Sequence, residues 1–197
     1  RLGVKVEARL ESIGFAPIGG GRLEVLVEPV GKLEPADWLE RGSLLSQQVR
    51  VLSQNLDEGI ASRMANAANA AMGWESEPEL EVWTDGPSPG VACFVESNYE
   101  HVSEITTDFG KVGRRAESVG NRAAKAMQNY LGSKAVVGRH LADQLLLPMA
   151  LSGRGNFVTM GISNHVRTNL RTIQAFLDIE ISVSEEENGL CQVAMKA

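Results

Sequence analysis

The apolar residues of this chain change period repeatedly, and those switches constrain the fold more than any other feature. Residues 4–11 (VKVEARLE) alternate with the two-residue period of a half-buried strand. Residues 22–30 (RLEVLVEPV) alternate again and predict a second strand antiparallel to the first. Residues 57–72 instead place Ile60, Met64, Ala67, Ala68 and Ala71 at helical spacing, behind Asp57 as an N-cap or first-turn acid. Strands are predicted at 43–52, 79–84, 91–97 and 101–106, and a helix at 116–131 that Gly132 can end. A strongly apolar helix at 139–151 carries Pro148, expected to kink or shorten it. After a loop at 152–156 come a strand at 157–163 and a helix at 165–177, with Val166, Leu170, Ile173 and Leu177 on one face. Strands at 179–186 and 190–196 close the order, joined by a turn at Glu187-Asn188-Gly189. Residues 31–42, with Gly31, Pro35 and Gly42, read as a connection. The mixed order defines an α+β class with mostly antiparallel sheets.

A length of 197 residues allows one large domain or two small ones. No apolar run approaches the ~18–20 residues of a membrane span, so no membrane partner is expected. The chain opens without Met inside what reads as a strand, and RLGVKVEARLE has no apolar signal core. The expectation is a fragment whose N-terminal part is missing. Two cysteines, Cys93 and Cys191, form neither a disulfide framework nor a zinc site, which fits a reducing, cytoplasmic setting. No HExxH or CxxC spacing is present, so no protein-held metal is expected.

The net charge of −6 argues against a general nucleic-acid coat, but its distribution is uneven. Residues 111–175 hold ten Lys or Arg and two acids, Glu117 and Asp143, a balance of +8 against −14 for the remainder. Such asymmetry suits a confined anion site or, alternatively, solvated helix faces. Within this window His165 follows Ser163 and Asn164, both good N-cap residues, and opens a helix. The positive helix end disfavours the imidazolium and offers backbone N–H groups to a phosphate. An exposed first-turn histidine without function has the same signature. His140, Asp143 and Gln144 stand at i, i+3 and i+4 and share one helical face, as a ligand site or as ordinary polar flanks. The glycine-rich GFAPIGGG (14–21) leads into a strand, not a helix, and suits a tight hairpin better than a phosphate cradle. His101 reads as structural or exposed, and Cys93, in an apolar strand, as core.

Several of these strings together resemble the RNA 3′-terminal phosphate cyclase family. The strongest are RHLADQLLLPMALSGRGNF (139–157) and SNHVRTN (163–169), similar to the family's ADQ–LP–MAL–G–G–F segment and H-x-x-T-N nucleophile motif. GFAPIGGG, GPSPG (86–90) and FGKVGRRAESVG (109–120) are similar to further family segments, in the same order. The resemblance implies an α+β cyclase core of modules with two helices on a four-stranded sheet, interrupted by a small α+β insert domain. It assigns residues 1–42 and 132–197 to the core and 43–131 to the insert. The implied activity is ATP-dependent conversion of an RNA 3′-phosphate end to a 2′,3′-cyclic phosphate through a covalent histidine–AMP intermediate. By that likeness His165 is the nucleophile, and Asp143 and Gln144 line the adenylate site. His140 falls where the family often has a tyrosine beside the nucleotide. ATP and Mg²⁺ or another divalent metal, bridging the phosphates, are the implied cofactors. The implied partners are RNA with a 3′-phosphate end and the missing N-terminal half, without which the chain is expected to be inactive. An exposed packing surface would also promote association into a homo-oligomer. Two alternatives stand beside this one: a catalytically inactive cyclase-like RNA-binding or ribosome-assembly factor, and an α+β domain binding a small phosphorylated ligand near His165.

Overall fold

A computed structural model describes residues 2–186 and 189–197. Two four-stranded sheets, each backed by two helices, and one two-stranded hairpin make up its α+β architecture. The hairpin pairs β1 (Val6–Ser12) with β2 (Arg22–Val27) in antiparallel register, Val6 opposite Val27 and Leu10 opposite Leu23. Its period-two pattern predicts one buried face, yet both strands are exposed along nearly their whole length. Among the described residues, no other element buries the face formed by Val6, Leu10, Leu23, Val25 and Val27.

Sheet I has the order β3-β8-β10-β9. Its strands are β3 (Ala36–Trp38), β8 (Arg154–Thr159), β9 (Glu180–Glu185) and β10 (Cys191–Lys196). β3 runs parallel to β8, with Trp38 opposite Phe157, and lies within the stretch expected to be only a connection. Three residues are too few to show a period, and the parallel partner 119 positions away supplies the hydrogen bonds. β8 begins at Arg154, inside the expected loop, because Gly153 takes a left-handed φ of 83° and turns the chain at once into the strand. β9 and β10 pair as the expected hairpin, while Glu187 and Asn188 of its turn lie outside the described residues.

Sheet I is packed by α3 (Arg139–Ser152) and α4 (Asn164–Phe176). Ala142, Leu146 and Met149 of α3 meet Val166, Leu170 and Ile173 of α4 in one core with Trp38, Phe157 and Val193. These positions repeat at three- and four-residue spacing, which gives each helix one apolar stripe to bury. α3 runs through Pro148 to Ser152 and is not shortened there. Ser163 caps α4 through a 3.2 Å hydrogen bond from the Val166 amide.

Sheet II has the order β5-β4-β6-β7. It comprises β4 (Leu44–Gln54), β5 (Glu79–Trp83), β6 (Gly90–Tyr99) and β7 (Ser103–Phe109). α1 (Glu58–Met72) crosses over between the parallel pair β4 and β5, and α2 (Ala116–Gly132) lies beside α1 in the same direction, with Glu117 near Arg63 and Gln128 Nε2 donating to the Ala71 carbonyl. Asp57 caps α1 by accepting from the Gly59 amide. Met64, Ala65 and Ala68 of α1 pack against Val119, Ala123 and Met127 of α2, over Val49, Val51, Cys93 and Val95 of the sheet. The many alanines let the two helices approach closely. A Cβ at Gly120 would lie 2.2 Å from the Met64 carbonyl oxygen. α2 includes Gly132 as its last residue, and Ser133 follows as the C-cap.

The two glycine- and proline-rich turns bind each other. Phe15 donates its amide to Ser88 Oγ at 2.6 Å, and Ser88 Oγ donates to the Gly19 carbonyl at 3.0 Å. Gln54 Nε2 donates to the carbonyls of Ile13 and Ser88. GFAPIGGG is therefore a structural hairpin held to sheet II. The Phe15 and Gly19 amides, two of the donors a phosphate cradle would require, are already engaged.

Candidate functional site

Helices α3 and α4 pack side by side, and their polar residues emerge at one end of the pair. Asp143 stands on the second turn of α3 and is half-buried. Its Oδ1 accepts a 2.8 Å hydrogen bond from Nδ2 of Asn169 on α4. His165 is one turn before Asn169 on the same helix, because a separation of four residues returns to the same face. The apolar stripe of α4 faces the core, so His165, Thr168 and Asn169 are left exposed. His140 and Gln144 flank Asp143 on α3, and both are exposed. The structure thus joins two stretches that sequence order keeps apart, through Asp143 and Asn169. It shows no hydrogen bond from His140 or Gln144 to α4 among the described residues.

The positive charge expected to mark an anion site divides in two. Arg114 and Arg122 share Asp108, and Arg63 and Arg115 share Glu117, all as exposed or part-exposed pairs. Arg154 pairs with Asp37. Two of these carboxylates, Asp37 and Asp108, lie outside the 111–175 window, so composition alone exaggerates the imbalance. Around the α3–α4 end the outcome differs. Arg139, Arg167 and Arg171 have no carboxylate within 4.0 Å among the described residues. Arg139 stands four residues before Asp143 and shares its face, which makes that end attractive to an anion, whereas Arg167 and Arg171 lie round α4 on the side away from His165 and Asn169. The N-terminus of α4 adds the positive end of its dipole.

Other groups fall outside this site. Cys93 is fully buried in β6, and burial beside Asp108 pushes its thiol up to about 12, so it is an inert core residue. His101 lies 3.6 Å from Glu40 at the edge of the linker. No group of three or more His, Cys, Asp or Glu suited to a metal ion occurs among the described residues. Asp143 is the carboxylate on this helix pair that could help hold a divalent ion, which would take most of its ligands from phosphate and water.

Sequence reasoning missed two residues that shape the surroundings of the site. Arg41 follows β3, and its guanidinium donates to the carbonyls of Ala135, Tyr130 and Ser133 at 2.7–3.0 Å. It stacks 4.0 Å from the Tyr130 ring centroid. Glu104 of β7 accepts a 3.0 Å hydrogen bond from the Gly138 amide at the start of α3. Both partnerships span more than 30 residues, and neither leaves a periodic trace in sequence.

Comparison with known proteins gives a consistent result. The family model for RNA 3′-terminal phosphate cyclase matches residues 1–183. Curated RNA 3′-terminal phosphate cyclases resemble the chain over nearly its whole length. One from Koribacter versatilis is 40% identical over 95% of the chain, and one from Pseudomonas fluorescens is 37% identical over 100%. A third, from Salmonella typhimurium, is 33% identical over 96%. The chain belongs to the RNA 3′-terminal phosphate cyclase family. It spans little more than half the length of these relatives, 53%, 58% and 56% respectively.

Proposed function

We propose that this chain carries the nucleophile half of an ATP-dependent RNA 3′-terminal phosphate cyclase. In this role His165 attacks the α-phosphorus of ATP. A nitrogen–phosphorus bond forms, the bond to the β-phosphate oxygen breaks, and pyrophosphate leaves. AMP then passes to the RNA 3′-phosphate, and the neighbouring 2′-hydroxyl closes the 2′,3′-cyclic phosphate while AMP departs. Asp143, Gln144 and His140 line the nucleotide side. Asn169 holds Asp143, and Arg139, on the same face of α3 as Asp143, attracts the phosphates. Mg²⁺ accompanies ATP and offsets phosphate charge when bound. Residues 1–42 and 132–197 act as core and 43–131 as an insert domain; the two clusters of buried residues support this reading, with Val102 of the insert joining the cluster of the core. A cytoplasmic location suits the free, buried thiols of Cys93 and Cys191.

The observation that carries this proposal is the 2.8 Å hydrogen bond between Asp143 and Asn169, which unites the two motifs at one helix-pair end. Roughly half a relative's length is lacking, so the 197-residue chain alone is expected not to turn over. The test supplies the N-terminal half from the parent gene or in trans, then incubates with α-labelled ATP and Mg²⁺. Acid-labile, alkali-stable label on the protein that disappears in His165→Ala supports the cyclase. Retained RNA binding with no label would overturn it in favour of a non-catalytic RNA-binding role.

A further inference from the structure

We propose that Glu104, on the edge strand of sheet II, is a positioning residue for the nucleotide site. Its carboxylate seats the N-terminus of α3 and thereby sets Asp143 against Asn169 beside His165. The inference rests on the cyclase assignment of that site, because it gives the alignment of α3 a catalytic consequence.

The first observation is the cap itself. α1 and α4 begin with their own side-chain caps, Asp57 and Ser163, whereas α3 begins at Gly138, which has no side chain to cap with. The polar group brought to this helix start is Glu104, 34 residues away and in the other sheet unit. When ionised, its carboxylate stands at the positive end of the α3 dipole, which offsets part of the cost of burying it.

The fit is close enough to depend on both partners. A Cβ at Gly138 would lie 1.9 Å from Glu104 Oε1, so the carboxylate rests directly against the glycine α-carbon. Glu104 is 5% exposed, and burying a carboxylate is costly unless its hydrogen bonds and charge are met. The Gly138 amide supplies the hydrogen bond, and Arg41 the opposite charge. Arg41 in turn fastens residues 130–135, the segment leading to Gly138, by three hydrogen bonds. The start of α3 is therefore clamped from both sides. Asp143 stands five residues after Gly138, less than two turns on. A shift of the helix start would be transmitted along that rigid span to the Asp143–Asn169 contact.

The test measures affinity for Mg·ATP and labelling of His165 separately, in the protein restored with its N-terminal half. Glu104→Ala is expected to weaken Mg·ATP binding about tenfold, while Glu104→Gln, which keeps a carbonyl acceptor of the same size, stays within threefold of the parent. Gly138→Ala, which pushes the intact carboxylate aside, is expected to behave like Glu104→Ala. Binding by Glu104→Ala within twofold of the parent overturns the proposal, as does equal loss in Glu104→Gln. If Glu104→Ala fails to fold, Gly138→Ala decides: undiminished binding by the folded variant overturns it. A parent protein that binds Mg·ATP with this pattern of sensitivities but takes no label would sink the cyclase assignment and leave the positioning role standing.

Discussion

At the scale of single residues, burial decides chemistry more than composition does. Glu104 is the example. Desolvation raises its carboxyl from 4.5 to about 7, against the lowering effects of the Gly138 amide and Arg41. The folded state holds this proton more tightly than the unfolded chain does. Its contribution is therefore fully present below about pH 4.5 and is lost as pH rises through 7. At about 1.4 kcal/mol per pKa unit the full swing is on the order of 3 kcal/mol. Denaturant titrations at pH 5 and pH 8 should show Glu104→Gln gaining stability relative to the parent as pH rises. A difference that stays constant with pH would contradict the assignment. The candidate residues His165 and Asp143 could be singled out in sequence because each stands at a helix-defined position: one behind an N-cap, the other on the face of an apolar helix. Glu104, Arg41 and Asn169 acquire their contacts from tertiary structure. Gly138 bears no side chain that would betray its partner.

Secondary-structure elements were legible wherever a long periodic run met a stop signal. The four helices lie within a residue or two of expectation because Asp57, Ser163 and the glycines near their ends mark them. β3 and the first residues of β8 escaped because three-residue strands and glycine-initiated strands have no period to detect. The α1–α2 contact carries a prediction at this scale. Replacing glycine by alanine in a helix ordinarily stabilises by about 1 kcal/mol. At Gly120 the new methyl would strike the Met64 carbonyl at 2.2 Å, and backbone yields poorly. Overpacking of this kind costs about 1–3 kcal/mol and should prevail. Gly120→Ala should lower the thermal midpoint measured by circular dichroism. A raised midpoint would mean that α1 and α2 are free to part.

For the molecule as a whole, the α+β class followed from the order of periods, but the arrangement of units did not. Alternation in β1 and β2 predicts that one face is covered, and it cannot say by what. Among the described residues nothing covers it: Val6, Leu23, Val25 and Val27 are each about half exposed. A contiguous apolar sheet face of this sort favours association. The 197-residue chain should sediment as species larger than a monomer at micromolar concentration, and Val25→Lys should shift it toward monomer. A monomeric parent would show that this face tolerates water.

The pairing of β3 with β8 also bears on how the chain comes to be assembled. Sheet II and its two helices draw only on residues 44–132, so they are complete once that stretch has left the ribosome. Sheet I cannot close then. β3 must wait for β8 and for the interior strand β10, which ends at Lys196. At about 5–20 residues per second the wait between β3 and β10 lasts on the order of ten seconds. During that interval Trp38 has no sheet to enter, while sheet II is already a folded unit beside it. Holding the ends of that unit close together, as Arg41 does by binding residues 130–135, brings the two halves of sheet I within reach and shortens the search that closes it.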